Sequence, residues 1–238
     1  MWKKVLDRVI IPILFVLVGG CVATLITIDE DNRATQRKEA EALAEAERLK
    51  AEKAAQLTIS SYDHIFKKVA EEHQLDWRLL AALAKAESGF RHNAVSRSGA
   101  VGLMQIMPAV GKSFGYSREQ LFDVRISVEL AARVLHKNLE MLRLPEDIDE
   151  SEKWSFALAC YNAGYGRVAD ARALARHFED NPHSWNDVAP YLKKLSEYKY
   201  AKHKVVKLGF FRGSKETLGH VNKVLKLYNK YTGKEENI

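Results

Sequence analysis

Cysteine is scarce in this chain, with two residues among 238. Cys21 lies in a long apolar run near the amino terminus, and Cys160 follows the small apolar residues of the segment ALAC. Two cysteines in such different settings do not form a sensible disulfide pair. We interpret Cys160 as a small buried core residue, and a thiol-based mechanism is disfavoured.

Strand patterns are also few, and the best of them covers residues 205–211. We find no internal repeat.

From about residue 60 onward, apolar residues recur mainly at helical spacing, so we expect one mainly α domain over residues 58–238. Asp76 is predicted to cap the helix that reaches Glu87, and Ser184 with Asp187 resembles a capping pair. The other predicted helices cover 62–74, 126–144, 154–163, 167–178 and 216–231.

Charge is missing from the twenty residues 9–28, a length sufficient for one helix to cross a bilayer. Basic residues precede this run and favour a cytoplasmic amino end. They are Lys3, Lys4 and Arg8. A second interpretation is a lipoprotein signal, because VGGC at 18–21 is similar to a lipoprotein cleavage box. The apolar run continues past Cys21, which favours a signal anchor. Either alternative for residues 1–31 predicts a membrane-anchored, extracytoplasmic (periplasmic) domain.

Glycine and proline are absent from residues 32–57, which are rich in alanine and charge. This composition favours a helix. Leu43, Leu49 and Leu57 form too poor a heptad pattern to specify a coiled coil. We therefore predict a solvated helical stalk between the membrane segment and the domain.

The net charge of +6 resides in residues 58–238, where 28 Lys and Arg face 22 Asp and Glu. A basic surface can attract an anionic polymer such as the cell wall or a nucleic acid. The nucleic-acid alternative requires a groove-reading element or an aromatic stacking platform, and the sequence shows neither. We predict no nucleic-acid partner. A basic surface that is simply solvated is equally consistent with this composition.

Glu87 stands at the end of an apolar helical face. Leu79, Leu80, Leu83 and Ala84 recur at helical spacing, and Glu87 continues their stripe. Desolvation of a carboxyl group disfavours its charged form, which suits a proton donor near neutral pH. The plain alternative is a glutamate that turns its tip to solvent.

Three motifs follow in order: Glu87-Ser88, then GLMQIMP at 102–108, then CYNAG at 160–164. Together they resemble the catalytic domain of the family 1 lytic transglycosylases, over about residues 60–231. The resemblance implies an α-rich, lysozyme-like fold with a substrate groove. It also implies cleavage of the β-1,4 bond between N-acetylmuramic acid and N-acetylglucosamine in peptidoglycan, with 1,6-anhydromuramyl products and without a metal or cofactor.

Glu87 would then be the single catalytic acid and base. Its loop holds no second acid, and Asp123 and Asp170 are interpreted as structural or solvated. The resemblance assigns substrate contacts to Ser96, Ser98, Gln105, Met107, Tyr161, Asn162 and His220.

Several of these assignments have alternatives. Ser96 is the better candidate for holding the N-acetyl group. Tyr161 matches a tyrosine near the catalytic glutamate, or is a buried tyrosine satisfied by backbone. Asn162 is better explained as shaping the helix end. His220 stands where the family usually has tyrosine, so it either hydrogen-bonds the sugar or is an exposed histidine without a role.

Three rival functions remain open at this point. A goose-type lysozyme-like hydrolase would use water, and a non-catalytic wall-binding anchor would retain only the fold. A specialised transglycosylase would serve a secretion apparatus. The expected partners are peptidoglycan glycan strands, the membrane, and cell-wall synthesis or secretion machinery.

Overall fold

The computed structural model describes residues 35–46, 48–49 and 58–234. The chain divides into two units, residues 1–56 and 57–238. In the first unit, residues 35–46 and 48–49 are helical with exposed side chains, as their composition predicts. The predicted membrane segment, residues 1–31, lies outside the described residues. Among those that are described, no helix is both long and apolar enough to cross a membrane.

The second unit is mainly helical, which confirms the prediction of a mainly α domain. A 3₁₀ turn at Gln120–Phe122 joins the third and fourth of its helices. In chain order the helices are α1 (Asp63–His73), α2 (Trp77–Ser88), α3 (Pro108–Ser113), α4 (Val124–Leu142), α5 (Glu150–Ala163), α6 (Tyr165–His177), α7 (Trp185–Lys194), α8 (Tyr198–Ala201) and α9 (Ser214–Thr232).

Helix α5 forms the centre of this unit. Its residues from Trp154 to Cys160 are all buried, so apolar side chains face every direction around it. It packs against α4, α6 and α9. Burial raises the pKa of the Cys160 thiol to about 12, which keeps this side chain protonated and confirms that it is a core residue.

The predicted Asp76 cap is confirmed, and Asp123 caps a second helix, which starts at Val124 rather than at the predicted residue 126. The Asp76 carboxylate accepts the backbone N–H of Arg78 at 2.9 Å and caps α2. The Asp123 carboxylate accepts the N–H of Ile126 at 2.9 Å and caps α4, so its role is structural.

The predicted capping pair at Ser184 is wrong. Ser184 occupies the N-cap position of α7, but its side chain makes no capping hydrogen bond. Instead, the Glu152 carboxylate of α5 accepts the backbone N–H of Trp185. A carboxylate from a neighbouring helix thus replaces the local cap, because packing brings the two helices together.

The predicted strand at 205–211 is also wrong. Within residues 58–234 the β structure consists of isolated bridges that join Val95, Val101 and Ile106. Residues 205–211 instead form a loop over α6. The Asp170 carboxylate, which is buried, accepts the N–H groups of Lys207 and Leu208 at 2.8 and 2.9 Å. A side chain therefore satisfies the backbone donors that a strand partner would otherwise satisfy.

Helix α9 determines where the candidate site forms. It packs against α2 and α5, and its first half passes the carboxyl ends of both. Residues far apart in the chain consequently meet at one place on the surface.

Candidate active site

A cleft of about 610 Å³ opens where the end of α2, the 94–107 loop, the end of α5 and the start of α9 meet. All eight residues assigned from the sequence line it. They are Glu87, Ser96, Ser98, Gln105, Met107, Tyr161, Asn162 and His220. The structure thus places the eight side chains around a single cavity, although they span 134 positions of the chain.

Glu87 lies in the last turn of α2, which ends at Gly89 in the left-handed conformation with φ +63°. Its side chain is 14% exposed, so the solvated alternative is wrong. Oε1 lies 2.9 Å from Nε2 of His220. No hydrogen bond from the described residues reaches Oε2, which is also not fully buried. Oε2 is therefore the oxygen that faces the cleft.

His220 contacts Glu87 directly, and its side chain is only 9% exposed. The expectation of an exposed histidine without a role is wrong. The sugar-binding alternative does not account for the contact of Nε2 with the carboxylate. The other ring nitrogen, Nδ1, is buried and has no hydrogen-bond partner among residues 58–234.

Tyr161 is satisfied by the backbone while it lines the cleft. Its hydroxyl donates to the carbonyl oxygen of Met104 at 2.8 Å. Burial and the charge of Glu87 raise the pKa of Tyr161 well above its ordinary value. The phenol therefore stays protonated and fixes the GLMQIMP segment against α5.

The loop before Met107 is closed by its own polar side chains. The Ser96 hydroxyl accepts the N–H of Ala100 at 2.9 Å and lies 3.0 Å from the Ser98 hydroxyl. The Gln105 amide donates to the carbonyl oxygens of Ala94 and Gly102 at 3.2 and 3.0 Å. The hydroxyl pair lines the cleft and is exposed, whereas the Gln105 N–H groups are occupied.

Met107 and Asn162 both line the cleft. Met107 is 41% exposed, which leaves an apolar side chain available to a ligand. The Asn162 side-chain oxygen accepts the Thr217 hydroxyl at 2.8 Å and joins the end of α5 to α9. This bond supports the interpretation that Asn162 shapes the helix end.

Sequence reasoning missed four aromatic, charged or hydroxyl-bearing residues that also line the cleft, besides small alanine and glycine residues. The four are Phe211, Glu216, Thr217 and Lys223. Three of them lie at helical spacing from His220, a signal that the α9 pattern contained. Glu216 is an exposed second acid in the cleft. The Lys223 ammonium donates to the carbonyl oxygen of Ala86 at 2.8 Å, next to Glu87.

No group of three or more metal-binding side chains lies together in the described part of the chain. We therefore assign no metal ligands.

A family model described as the transglycosylase SLT domain matches residues 64–184. The match includes Glu87, the GLMQIMP segment and Tyr161, and it ends before α9. The helix that carries His220 thus lies beyond the part of the chain that this model describes.

Curated relatives named membrane-bound lytic murein transglycosylase F agree with that match. The protein from Shewanella halifaxensis is 37% identical over 171 residues, which are 72% of this chain and 34% of the relative. The protein from Shewanella loihica is 39% identical over 155 residues, which are 65% of this chain and 31% of the relative. The chain spans about a third of the length of these relatives.

The solved structure of the lytic transglycosylase Slt from Pseudomonas aeruginosa has a similar fold. Its TM-score is 0.52 at 23% identity, with 73% of this chain and 24% of that chain covered. The fold, the order of the motifs and the family match agree with one another. This chain belongs to the lytic transglycosylase family that carries the SLT domain.

Proposed function

We propose that this chain is a peptidoglycan lytic transglycosylase that uses Glu87 first as an acid and then as a base. The observation that carries the proposal is the position of Glu87. Its carboxyl group is sheltered on one side by His220 and presents Oε2 to a cleft of about 610 Å³. A single carboxyl group placed in this way can deliver a proton and take one back at the same atom.

In the first half of the reaction, Oε2 of Glu87 donates its proton to the glycosidic oxygen between N-acetylmuramic acid and N-acetylglucosamine. The bond from the anomeric carbon to that oxygen breaks, and its electron pair stays on the leaving oxygen. The carbonyl oxygen of the substrate's own N-acetyl group stabilises the positive charge that develops at the anomeric carbon. This internal assistance removes the need for a second catalytic carboxylate.

In the second half, the C6 hydroxyl of the same muramic acid attacks the anomeric carbon. Its proton passes to the Glu87 carboxylate, which restores the acid for the next cycle. The product is a 1,6-anhydromuramyl end, and no water is consumed.

The surrounding side chains fit substrate positioning. The Ser96 and Ser98 hydroxyls lie 3.0 Å apart and line the cleft, where they can hydrogen-bond an N-acetyl group. The exposed thioether of Met107 offers an apolar contact to a sugar face. Gln105 and Tyr161 act indirectly by holding the loop and the GLMQIMP segment in place.

The substrate class and location follow from the relatives' names and from the amino terminus. We infer that the chain acts on peptidoglycan glycan strands outside the cytoplasm, with residues 1–31 as its membrane anchor and 32–57 as a stalk. Cell-wall synthesis or secretion machinery are the partners that this placement would bring within reach.

A lysozyme-like hydrolase is the second candidate, because Glu216 supplies another carboxyl group in the same cleft. In a two-carboxylate hydrolase both acids would be required. Glu216 is exposed, whereas Glu87 is sheltered, so we assign the chemistry to Glu87 alone.

Digestion of purified sacculi by the full-length chain and two variants tests the proposal. Glu87→Gln should abolish release of soluble muropeptides, and Glu216→Gln should release them at a rate close to that of the unmodified chain. Glu146→Gln, on an exposed loop, is the control. Unchanged release by Glu87→Gln would favour a wall-binding anchor, and loss of release by Glu216→Gln would favour the hydrolase.

A further inference from the structure

The contact between Glu87 and His220 joins two side chains that can each hold or release a proton. Nε2 of His220 lies 2.9 Å from Oε1 of Glu87. The His220 side chain is 9% exposed and the Glu87 side chain is 14% exposed. The remaining atoms of the pair differ in their surroundings. Oε2 faces the cleft, while Nδ1 is buried and has no partner among the described residues.

The lack of a partner at Nδ1 determines which ring nitrogen carries the hydrogen. A hydrogen on Nδ1 would be a buried N–H donor without an acceptor, which is costly. With the hydrogen on Nε2, the ring donates to Oε1 and leaves only a lone pair at Nδ1. The neutral tautomer with Nε2–H is therefore the one that this packing stabilises.

We propose that His220 is a positioning residue that acts as a neutral Nε2–H donor to Oε1 of Glu87. Oε1 accepts this hydrogen bond whether Glu87 is a carboxylate or a carboxylic acid. The exchangeable proton is then confined to Oε2, which faces the cleft. His220 thus selects the oxygen through which Glu87 gives up and recovers its proton, and this role rests on the function proposed above.

Other titratable or charged groups lie near the pair of Glu87 and His220. On α9 itself, Glu216 and Lys223 line the same cleft, and their charges oppose each other. From α5, Tyr161 faces the cleft as a neutral phenol. From α2 the titratable group is Glu87, and α7 contributes no residue to the cleft lining that the structure describes.

Two variants test the donor role. His220→Leu removes the donor at similar volume, and we expect kcat to fall about tenfold or more with KM little changed, because the lost contact orients the acid. His220→Gln keeps an N–H donor, and we expect it to recover most of kcat. Unchanged kcat in His220→Leu, or a kcat in His220→Gln as low as that of His220→Leu, would overturn the proposal.

The tautomer can be read without any substrate. Nitrogen-15 NMR of the full-length chain in detergent, with the His220 signal assigned by its absence in His220→Gln, reports which ring nitrogen carries hydrogen. We expect protonated Nε2 and unprotonated Nδ1 at neutral pH. A hydrogen on Nδ1 at neutral pH would contradict the positioning role, even if the sugar products were those of a transglycosylase.

Discussion

At the scale of single residues, Tyr161 links the carboxyl end of α5 to the GLMQIMP segment. Its hydroxyl is the partner of the buried Met104 carbonyl oxygen. Tyr161→Phe leaves that oxygen without its donor, so we expect the free energy of unfolding to fall by about 1–2 kcal/mol in urea denaturation. Tyr198→Phe is the matched control, because Tyr198 is 69% exposed. A change above about 0.5 kcal/mol in the control, or none in Tyr161→Phe, would contradict this reading.

Gly102 and Gly99 provide a second comparison between single residues. Both have positive φ, +82° and +90°, so alanine strains the backbone at either position. At Gly102 a Cβ atom would also collide with the Leu121 carbonyl oxygen, whereas open space surrounds Gly99. We expect Gly102→Ala to cost about 1–3 kcal/mol more than Gly99→Ala in the free energy of unfolding. An equal decrease in the free energy of unfolding for both variants would mean that the backbone at Leu121 moves away from the new Cβ atom at no cost.

At the scale of elements, Asp170 holds the 205–211 loop onto α6. Its carboxylate accepts two backbone N–H groups, and Arg167 of the same helix donates to the carbonyl oxygens of Leu208 and Gly209. Asp170→Ala should lower the free energy of unfolding by about 3 kcal/mol, because two charge-assisted bonds are lost.

The same variant should speed hydrogen exchange at the amides of Lys207 and Leu208. Asp147→Ala, at an exposed carboxylate, serves as the control. Slow exchange at both amides in Asp170→Ala would show that other contacts hold the loop. Because the loop leads to Phe211 in the cleft wall, sugar release should slow as well.

The capping carboxylate of α2 makes stability depend on pH. Burial opposes the charge of Asp76, but hydrogen bonds from Arg78 and from the Tyr228 hydroxyl of α9 outweigh it. The pKa of Asp76 therefore lies below its ordinary value. A lowered pKa in the folded state means that the stabilisation is complete above about pH 4 and is lost as the pH falls below that value.

We expect the advantage of the unmodified chain over Asp76→Asn in urea unfolding to be largest near neutral pH and to shrink below about pH 4. An advantage that grew as the pH fell would show that Asp76 is not held as a carboxylate.

At the scale of the whole molecule, local patterns predicted the helices and the place of Glu87, whereas the family resemblance supplied the other candidate site residues. Helical spacing, Asp76 and the Gly89 stop are short-range features, so Glu87 could be placed at the end of a helix from its neighbours alone. The GLMQIMP and CYNAG motifs supplied further residues of the cleft lining. Each of these signals lies within a few residues of the feature that it determines.

The features that sequence reasoning missed depend on contacts between distant segments. His220 meets Glu87 across 133 positions, and Asp170 meets Leu208 across 38. The Glu152 cap of α7 likewise comes from another helix. Side-chain pairs of this kind are determined by how the helices pack, which a local pattern does not contain. They also explain why the strand predicted at 205–211 is wrong, because the Asp170 carboxylate satisfies backbone N–H groups of this segment.

The most direct test of the account is the chemical nature of the ends that full-length protein leaves on purified peptidoglycan. If Glu87 recovers its proton from the C6 hydroxyl, mass spectrometry should find released muropeptides that are lighter by one water molecule than hydrolysis products. These muropeptides should also resist borohydride reduction. Muropeptides with reducible muramic acid ends, lost in Glu87→Gln, would show that water is the acceptor and would contradict the transglycosylase assignment.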